Sequence, residues 1–196
     1  NGVSYCINNG RWFSVDQDFV HMVNEEYERI PVSEMEFLPH SVEYTRENDY
    51  TQAFVTPSPD HLLYMDAKLV SHGGGRSKIE LCDILTEDKT FIHIKPYSGS
   101  AILSHLFNQA VVSAELVMSD QEFREKANAE IRDVGGSKGF QILVGCHPSV
   151  ILAILSEHSE PRPPLPFFSK IVLRYAFRKL RTCGCKVYIK NIPKAI

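Results

Sequence analysis

The sequence lacks a long apolar run: none reaches 18 residues among its 196 positions. A membrane-spanning helix needs about 20 predominantly apolar residues, so we expect no such segment. A secretory signal pattern is also missing. The 43% of hydrophobic residues suffices for the core of one compact domain. Because the chain opens at Asn1 rather than Met, we expect a fragment of a longer protein.

Paired cysteines are also missing. The five Cys are odd in number and no Cys-x-x-Cys spacing occurs. This excludes a disulfide framework and a zinc knuckle as explanations of the fold. Free thiols are typical of a reducing compartment, which predicts a cytoplasmic location.

Acidic residues are absent from the C-terminal part. Residues 161–196 hold 9 of the 21 Lys and Arg and none of the 24 Asp and Glu. Such a segment favours an anionic partner, nucleic acid first, although the fold can equally set it against the acidic part of the same chain. Lys170, Arg174, Arg178 and Arg181 recur at helical spacing, and a row of this kind can follow a phosphate backbone without reading bases.

Two catalytic motifs are missing as well. The glycine-rich stretch SHGGGRS (71–77) fails the GxxxxGK[ST] spacing of a phosphate-binding loop, and no GxSxG nucleophile elbow occurs. We interpret 71–77 as a hairpin loop in which Arg76 remains a candidate phosphate contact.

The apolar patterns predict an α/β fold with a central mixed β-sheet flanked by helices. Residues 1–60 are expected to pack on a core formed by 61–196. Strands or hairpins are predicted at 5–15, 61–70, 78–95, 140–145 and 186–192, and helices at 16–30, 98–117, 119–134, 147–157 and 169–182. Residues 31–60 are expected to be mostly loop, with room for one short strand or helix.

The hairpin KIELCDILTEDKTFIHIK (78–95) carries the candidate site. His93 and Lys95 share one face because side chains alternate along a strand. A two-residue turn places Glu80 opposite Lys95, whereas a three-residue loop places Asp83 opposite His93. The turn contains no Gly or Asn, which favours the longer loop and therefore Asp83. Both acids stay candidates.

These residue types fit metal-dependent cleavage of a phosphodiester. Carboxylates, sometimes with an imidazole, bind Mg²⁺ or Mn²⁺, and the ion stabilises the charge that develops at phosphorus. A neighbouring Lys can orient the attacking water or stabilise the transition state.

The spacing resembles the PD-(D/E)XK, restriction-endonuclease-like, nuclease superfamily over residues 60 to 192. Asp83 matches the family's metal-binding Asp, and His93 and Lys95 match its acid-x-Lys pair. Gln109 resembles the helix Gln of the RecB-like branch, and Glu26 matches the acid of the first helix. From its own spacing, Glu26 lies on the apolar stripe of its helix, where it either reaches a cation or sits at the edge.

Two positions depart from this pattern. His93 stands where the family has Glu or Asp, which implies Mn²⁺ use or a weakened site because imidazole prefers softer ions than Mg²⁺. Ser113 stands where a Tyr follows the helix Gln. The stretches KIELCDIL, GSAILSHLFNQ and LPFFSKIVLR are also similar to the C-terminal part of a sporadically distributed family of uncharacterised bacterial proteins.

We therefore expect a DNA endonuclease-like enzyme that uses Mg²⁺ or Mn²⁺, with DNA preferred over RNA. Its expected catalytic residues are Asp83, His93, Lys95, Gln109 and Glu80, and its expected metal ligands are Asp83 and His93, with Glu26 and Asp66 in support. A role in bacterial defence follows from the resemblance. The alternatives are a degenerate nuclease fold that binds nucleic acid and a protein-interaction module. A homodimer and contacts with other domains are further expectations.

Overall fold

A computed structural model of the protein describes residues 5–8, 10–41, 43–44, 46–73 and 77–195. The strands in this part are β1 (Tyr5–Asn8), β2 (Arg11–Ser14), β3 (Leu62–Tyr64), β4 (Leu69–His72), β5 (Ser77–Glu80), β6 (Ile84–Thr86), β7 (Thr90–Pro96), β8 (Ser149–Ser156) and β9 (Lys186–Pro193). The α-helices are α1 (Gln17–Glu28), α2 (Glu47–Val55), α3 (Ser100–Ser119), α4 (Gln121–Asp133) and α5 (Phe167–Thr182).

The central sheet has five strands in the order β3-β6-β7-β8-β9. Neighbours from β3 to β7 are antiparallel, whereas β7, β8 and β9 are parallel. The change follows from the connections: β6 and β7 are joined by a short loop, whereas helices connect β7 to β8 and β8 to β9. The prediction of an α/β fold with a central mixed sheet is confirmed.

Helices cover both faces of this sheet. Ile92 and Ile94 of β7 pack with Tyr50 and Phe54 of α2 in one apolar cluster. Phe91, on the opposite face, packs with residues of α3 and α4. Further along that face, β8 and β9 pack against α1, α3 and α5. The alternation along β7 therefore divides the core into layers on either side of the sheet.

The helix α3 is central to the larger layer. Among the described residues it alone is long and apolar enough to cross a membrane by length and composition. Its Leu103, Leu106, Phe107 and Ala110 are completely buried in the protein core. Core helices pass the same test, and this packing is that of a core helix in an α/β fold.

Two predicted elements near residue 150 are wrong. Residues 147–157, predicted as a helix, form β8, and the predicted strand at 140–145 is a loop after a single 3₁₀ turn at Lys138–Phe140. A short run of apolar residues does not distinguish a helix from a strand that is buried on both faces. The side chain of Asn128 holds the loop by bonding both the amide and the carbonyl of Ile142, at 2.8 and 2.9 Å.

The segment 31–60 contains the one short helix for which its sequence left room. Residues 31–60 contain α2, preceded by an extended stretch that bridges to β9 at Val32 and again at His40. The predicted strand 61–70 is divided into β3 and β4 by a turn. Ala67 in this turn has a positive φ of 59°, which is uncommon for a residue with a side chain.

We expect Leu103→Ala to lower the free energy of unfolding by about 2–5 kcal/mol, because it removes a completely buried side chain from α3. The matched change Ile102→Ala, at a position that is 40% exposed, is expected to cost about 0.5 kcal/mol or less. Urea unfolding of the two variants measures the difference. Equal costs would contradict the packing described for α3.

Candidate metal-binding site

The loop between β6 and β7 sets the register of the site. Ile84 pairs with Ile92 and Leu85 with Phe91. Continued in both directions, this register leaves a three-residue loop, Glu87 to Lys89, and places Asp83 opposite His93. Lys89 takes a positive φ of 65°, as the last residue of such a loop commonly does. The structure thus has the longer of the two loops considered from the sequence.

Asp83 is the most constrained residue of the site. Its amide donates to the Ile92 carbonyl at 3.0 Å, and its carbonyl accepts from the Met65 amide at 2.9 Å. Its side chain then substitutes for backbone, because Oδ2 accepts the Ile94 amide at 2.6 Å. Its other oxygen, Oδ1, is buried and has no hydrogen-bond partner among the described residues.

Two further acids converge on Asp83. One oxygen from each of Asp66, Glu80 and Asp83 lies within 4.8 Å of the other two. Asp66 lies in the turn after β3 and accepts the Tyr64 hydroxyl at 3.0 Å. Glu80 ends β5 and accepts the Ala67 amide at 2.7 Å. The amide of Ala67 therefore helps to hold Glu80 in place, as the Tyr64 hydroxyl does for Asp66.

Gln109 of α3 reaches the same group. Its side-chain Nε2 donates to the second oxygen of Glu80. Its Oε1 is buried and has no partner among the described residues. The Gln predicted from the sequence is therefore at the site, where it leaves an oxygen available as an acceptor.

Lys95 brings the positive charge. Its ammonium contacts Glu47, the first residue of α2, and lies 4.0 Å from Asp83 Oδ1. Only 17% of each side chain of the Lys95–Glu47 pair is exposed. Sequence reasoning missed Glu47, which stands in a polar stretch. The helical spacing of Tyr50, Phe54 and Val55 after it was the available signal.

The electrostatics of the group reflect an excess of buried negative charge. Burial raises the pKa of Asp83 well above its usual value, although Lys95 opposes the shift. Burial likewise raises the pKa of Glu80 and of Glu47. Burial opposes the charge on Lys95, but Asp83 and Glu47 outweigh it and raise the pKa of its ammonium. One cation thus faces several carboxylates that resist ionisation.

A divalent cation fits these residues. Every donor in the group is an oxygen, which is the ligand type of Mg²⁺ and Mn²⁺ rather than of a soft metal. Ligands at about 2.0–2.6 Å from a shared ion lie up to about 5 Å apart, and the three carboxylates have that spacing. An ion here would also supply the partner that Asp83 Oδ1 lacks among the described residues.

Comparison with known proteins places the chain in a family. A family of unknown function, DUF6119, matches residues 1–193. The chain belongs to this family. No curated protein and no solved structure shows a significant match to it. None of these comparisons assigns a chemistry to the site of this DUF6119 protein.

His93 is not part of the acidic group. The ion-binding arrangement found among the described residues contains Asp66, Glu80 and Asp83. The imidazole is completely buried, and neither ring nitrogen has a partner among the described residues. Burial, helped by the charge on Lys95, lowers the pKa of His93 to about 3, so the ring is neutral. The structure therefore places His93 in the interior, outside the group of three acids, and its role as a ligand stays a prediction.

Glu26 is also elsewhere, between α1 and α5. Its two oxygens accept from Arg174 at 2.6 Å and Arg178 at 2.7 Å. These bonds lower the pKa of Glu26, with the hydrogen bond from Arg174 as the largest cause. The sequence left two alternatives for Glu26 on the apolar stripe of α1: a contact with a cation or a place at the edge. In the structure Glu26 contacts two cations, Arg174 and Arg178. The helix acid at the candidate site is Glu47.

The basic stripe of α5 is largely turned toward α1. Besides the two arginines that bind Glu26, Lys170 donates to Asn24 at 2.9 Å and lies 4.7 Å from the centre of the Tyr27 ring. Arg181 is exposed, and Arg76 lies outside the described residues. For most of this stripe, the acidic part of the same chain is the partner.

We expect Mn²⁺ at about 100 times its dissociation constant to raise the melting temperature of the protein by roughly 5–10 °C. Because the unfolded chain releases the Asp83 proton more readily, metal-free stability falls as pH rises from about 4 through the raised pKa of Asp83. Asp83→Asn should remove the Mn²⁺ effect and lessen the pH effect, of which Glu80 and Glu47 carry the rest because burial also raises their pKa values. The measurement is thermal melting at pH 5 and pH 8, with and without Mn²⁺.

The matched control is Asp60→Asn, at an exposed position, which should leave the Mn²⁺ shift unchanged. The shift in the wild type should be larger at pH 8 than at pH 5, because bound carboxylates must be deprotonated. A Mn²⁺ shift in Asp83→Asn equal to that of the wild type would contradict the site.

We expect His93→Leu to keep the Mn²⁺ shift and to change the acid stability. The pKa of His93 is about 3 in the folded protein and about 6.5 in the unfolded chain. Because the unfolded chain takes up this proton more readily, the protein loses stability as pH falls from about 6.5 toward 3. The variant should therefore gain about 2 kcal/mol relative to wild type between pH 8 and pH 5. Urea unfolding at both pH values measures this, with exposed His21→Leu as control. Loss of the Mn²⁺ shift would instead make His93 a ligand.

Proposed function

We propose that this DUF6119 protein is a metal-dependent phosphodiesterase that cleaves DNA, with Mg²⁺ or Mn²⁺ held by Asp66, Glu80 and Asp83. The observation that carries the proposal is the convergence of these three carboxylates within 4.8 Å, beside an ammonium that lies 4.0 Å from Asp83. The three carboxylates form a site for a hard cation, and the ammonium supplies a fixed positive charge. Phosphoryl transfer uses both.

The residues divide the work as follows. A bound divalent ion would neutralise charge at phosphorus and lower the pKa of a water molecule. Lys95, which stays charged, donates hydrogen bonds to the phosphoryl oxygens as they become more negative. Glu47 holds the ammonium in position, and Gln109 holds Glu80. In the reaction, a water oxygen bonds to phosphorus while the bond from phosphorus to the leaving sugar oxygen breaks.

The order of elements supports the same proposal. The helix α2 with its acid Glu47 precedes the three antiparallel strands of the central sheet, β3, β6 and β7, with the hairpin β4–β5 between the first two. The helix α3 with Gln109 follows them, and after α4 comes the parallel strand β8. This arrangement agrees with the resemblance to the PD-(D/E)XK superfamily, with Glu47 in the role first given to Glu26. We also propose a cytoplasmic location, since Cys82, Cys146, Cys183 and Cys185 are free. A role in bacterial defence rests on the resemblance alone.

A second candidate function is a binding module without catalysis. His93 favours it, because the position that holds an acid in the superfamily is here a buried, neutral imidazole without a partner among the described residues. Such a domain would bind nucleic acid and leave it intact.

Cleavage of supercoiled plasmid in Mg²⁺ or Mn²⁺ separates the two candidates. We expect Lys95→Met to lower the rate roughly 100- to 1,000-fold, because it removes the donor that stabilises the transition state. Lys138→Met, at an exposed position, is the matched control and should cleave at the wild-type rate. Melting with Mn²⁺ should show that Lys95→Met still binds the ion. Equal cleavage by Lys95→Met and wild type would refute the proposal that this site cleaves DNA. Retention of DNA by the wild type without cleavage would favour the binding module.

A further inference from the structure

A groove of about 510 Å³ has Glu47 in its wall and is lined by none of the three acids proposed to bind the metal. It lies where β7, β8 and β9 end, so its floor contains Pro96, Leu155 and Ser156. Crevices outside the carboxyl ends of parallel strands are the usual ligand sites of open α/β sheets. The volume lies within the range of about 300–1,000 Å³ that is common for such sites.

The groove is joined to the proposed active site through the chain itself. Glu47, which binds Lys95, forms part of the groove wall, and Arg46 precedes it. On the other side, Lys95 is followed by Pro96 and Tyr97, and both line the groove. A ligand in the groove would therefore contact Glu47, whose carboxylate binds the Lys95 ammonium.

The walls of the groove carry aromatic rings. His40 and Tyr44 lie with ring centres 6.1 Å apart, and Tyr97 and His158 lie with ring centres 5.9 Å apart at nearly a right angle. The Tyr97 hydroxyl donates to the Pro164 carbonyl at 2.9 Å, which fixes the ring. Flat, fixed rings of this kind accept unstacked bases without regard to sequence.

Cationic groups lie among these rings. Arg46 and Lys194 line the groove, which also contains the carboxylates of Glu47 and Glu157. Lys194 contacts the exposed Glu157 at 2.9 Å, and a solvent-exposed pair of this kind is weak enough to be exchanged for a phosphate. The combination of rings and cations is the chemistry that proteins use for single strands of nucleic acid.

We propose that this groove binds a single strand of DNA next to the bond that is cut. Bases stack on Tyr97 and Tyr44, a phosphate contacts Arg46, and the next phosphate reaches Lys95. This inference rests on the proposed function. A duplex is the poorer fit, because its bases are stacked on one another and cannot reach the rings. The α5 stripe is the weaker surface, because Arg174 and Arg178 already bind Glu26.

The test measures binding of a fluorescein-labelled oligo(dT) to the full chain in EDTA, by anisotropy, so that cleavage plays no part. Tyr97→Leu and Arg46→Gln should weaken binding roughly 5- to 100-fold, as removal of a stacking ring does elsewhere. Arg46→Gln should also lower the slope of log affinity against log salt by about 0.7. Tyr97→Phe and Arg46→Lys should bind nearly as well as wild type and so show that the fold is intact.

Matched controls are Tyr175→Leu, which removes a ring of α5 that is 62% exposed, and Arg132→Gln, at an exposed position of α4. Both should leave binding unchanged. Three results would refute the proposal that the groove binds single-stranded DNA. These are weaker binding in the controls but not in Tyr97→Leu, tighter binding of duplex than of oligo(dT), and no binding of either by the wild type.

Cleavage in Mn²⁺ separates this inference from the proposed function. If the wild type cleaves DNA and Tyr97→Leu leaves KM unchanged, DNA binding in the groove is refuted and the proposed cleavage activity is supported. If wild type does not cleave but oligo(dT) binding depends on Tyr97 and Arg46, the enzyme is refuted and the groove stands.

Discussion

The arrangement of this protein's candidate site depends on the burial of one carboxylate. Asp83 ends the β6 ladder by accepting the Ile94 amide with its own side chain, and that bond fixes the carboxylate in the sheet. Its second oxygen then remains without a partner in the described part of the chain, beside Asp66 and Glu80. Leaving a buried polar atom unsatisfied costs about 1–3 kcal/mol. Such a cost is tolerated most readily where function requires it.

The sequence predicts those residues of the site whose positions follow from local rules of strand and turn geometry. Strand alternation places Lys95 and His93 on one face, and the absence of Gly or Asn in the turn indicates the three-residue loop. From these two rules Asp83 follows. Gln109 follows from the resemblance and lies at the site as well. The orientation of His93 does not follow, because alternation gives a face but not whether the helices above it exclude solvent.

Other features were beyond local rules for physical reasons. Glu47 belongs to α2, whose position is set by packing of Tyr50 and Phe54 on the sheet, a long-range contact. The run VILAIL within β8 is apolar throughout, so its sequence has no period, and β8 becomes a strand because it has neighbours on both sides. The basic residues of α5 illustrate the same limit. The sign of a charge predicts an attraction but does not identify the partner, and for Arg174 that partner is Glu26 of α1.

The extended stretch that bridges to β9 at Val32 and His40 has a consequence for how copies of the protein meet. An uncovered edge strand is a template on which another chain can add a strand, and natural proteins protect such edges. Here one edge of the central sheet is shielded by that stretch, and the other, β3, is only three residues long. The central sheet is therefore protected against edge-to-edge aggregation, and a second copy would associate more readily through helices than through added strands.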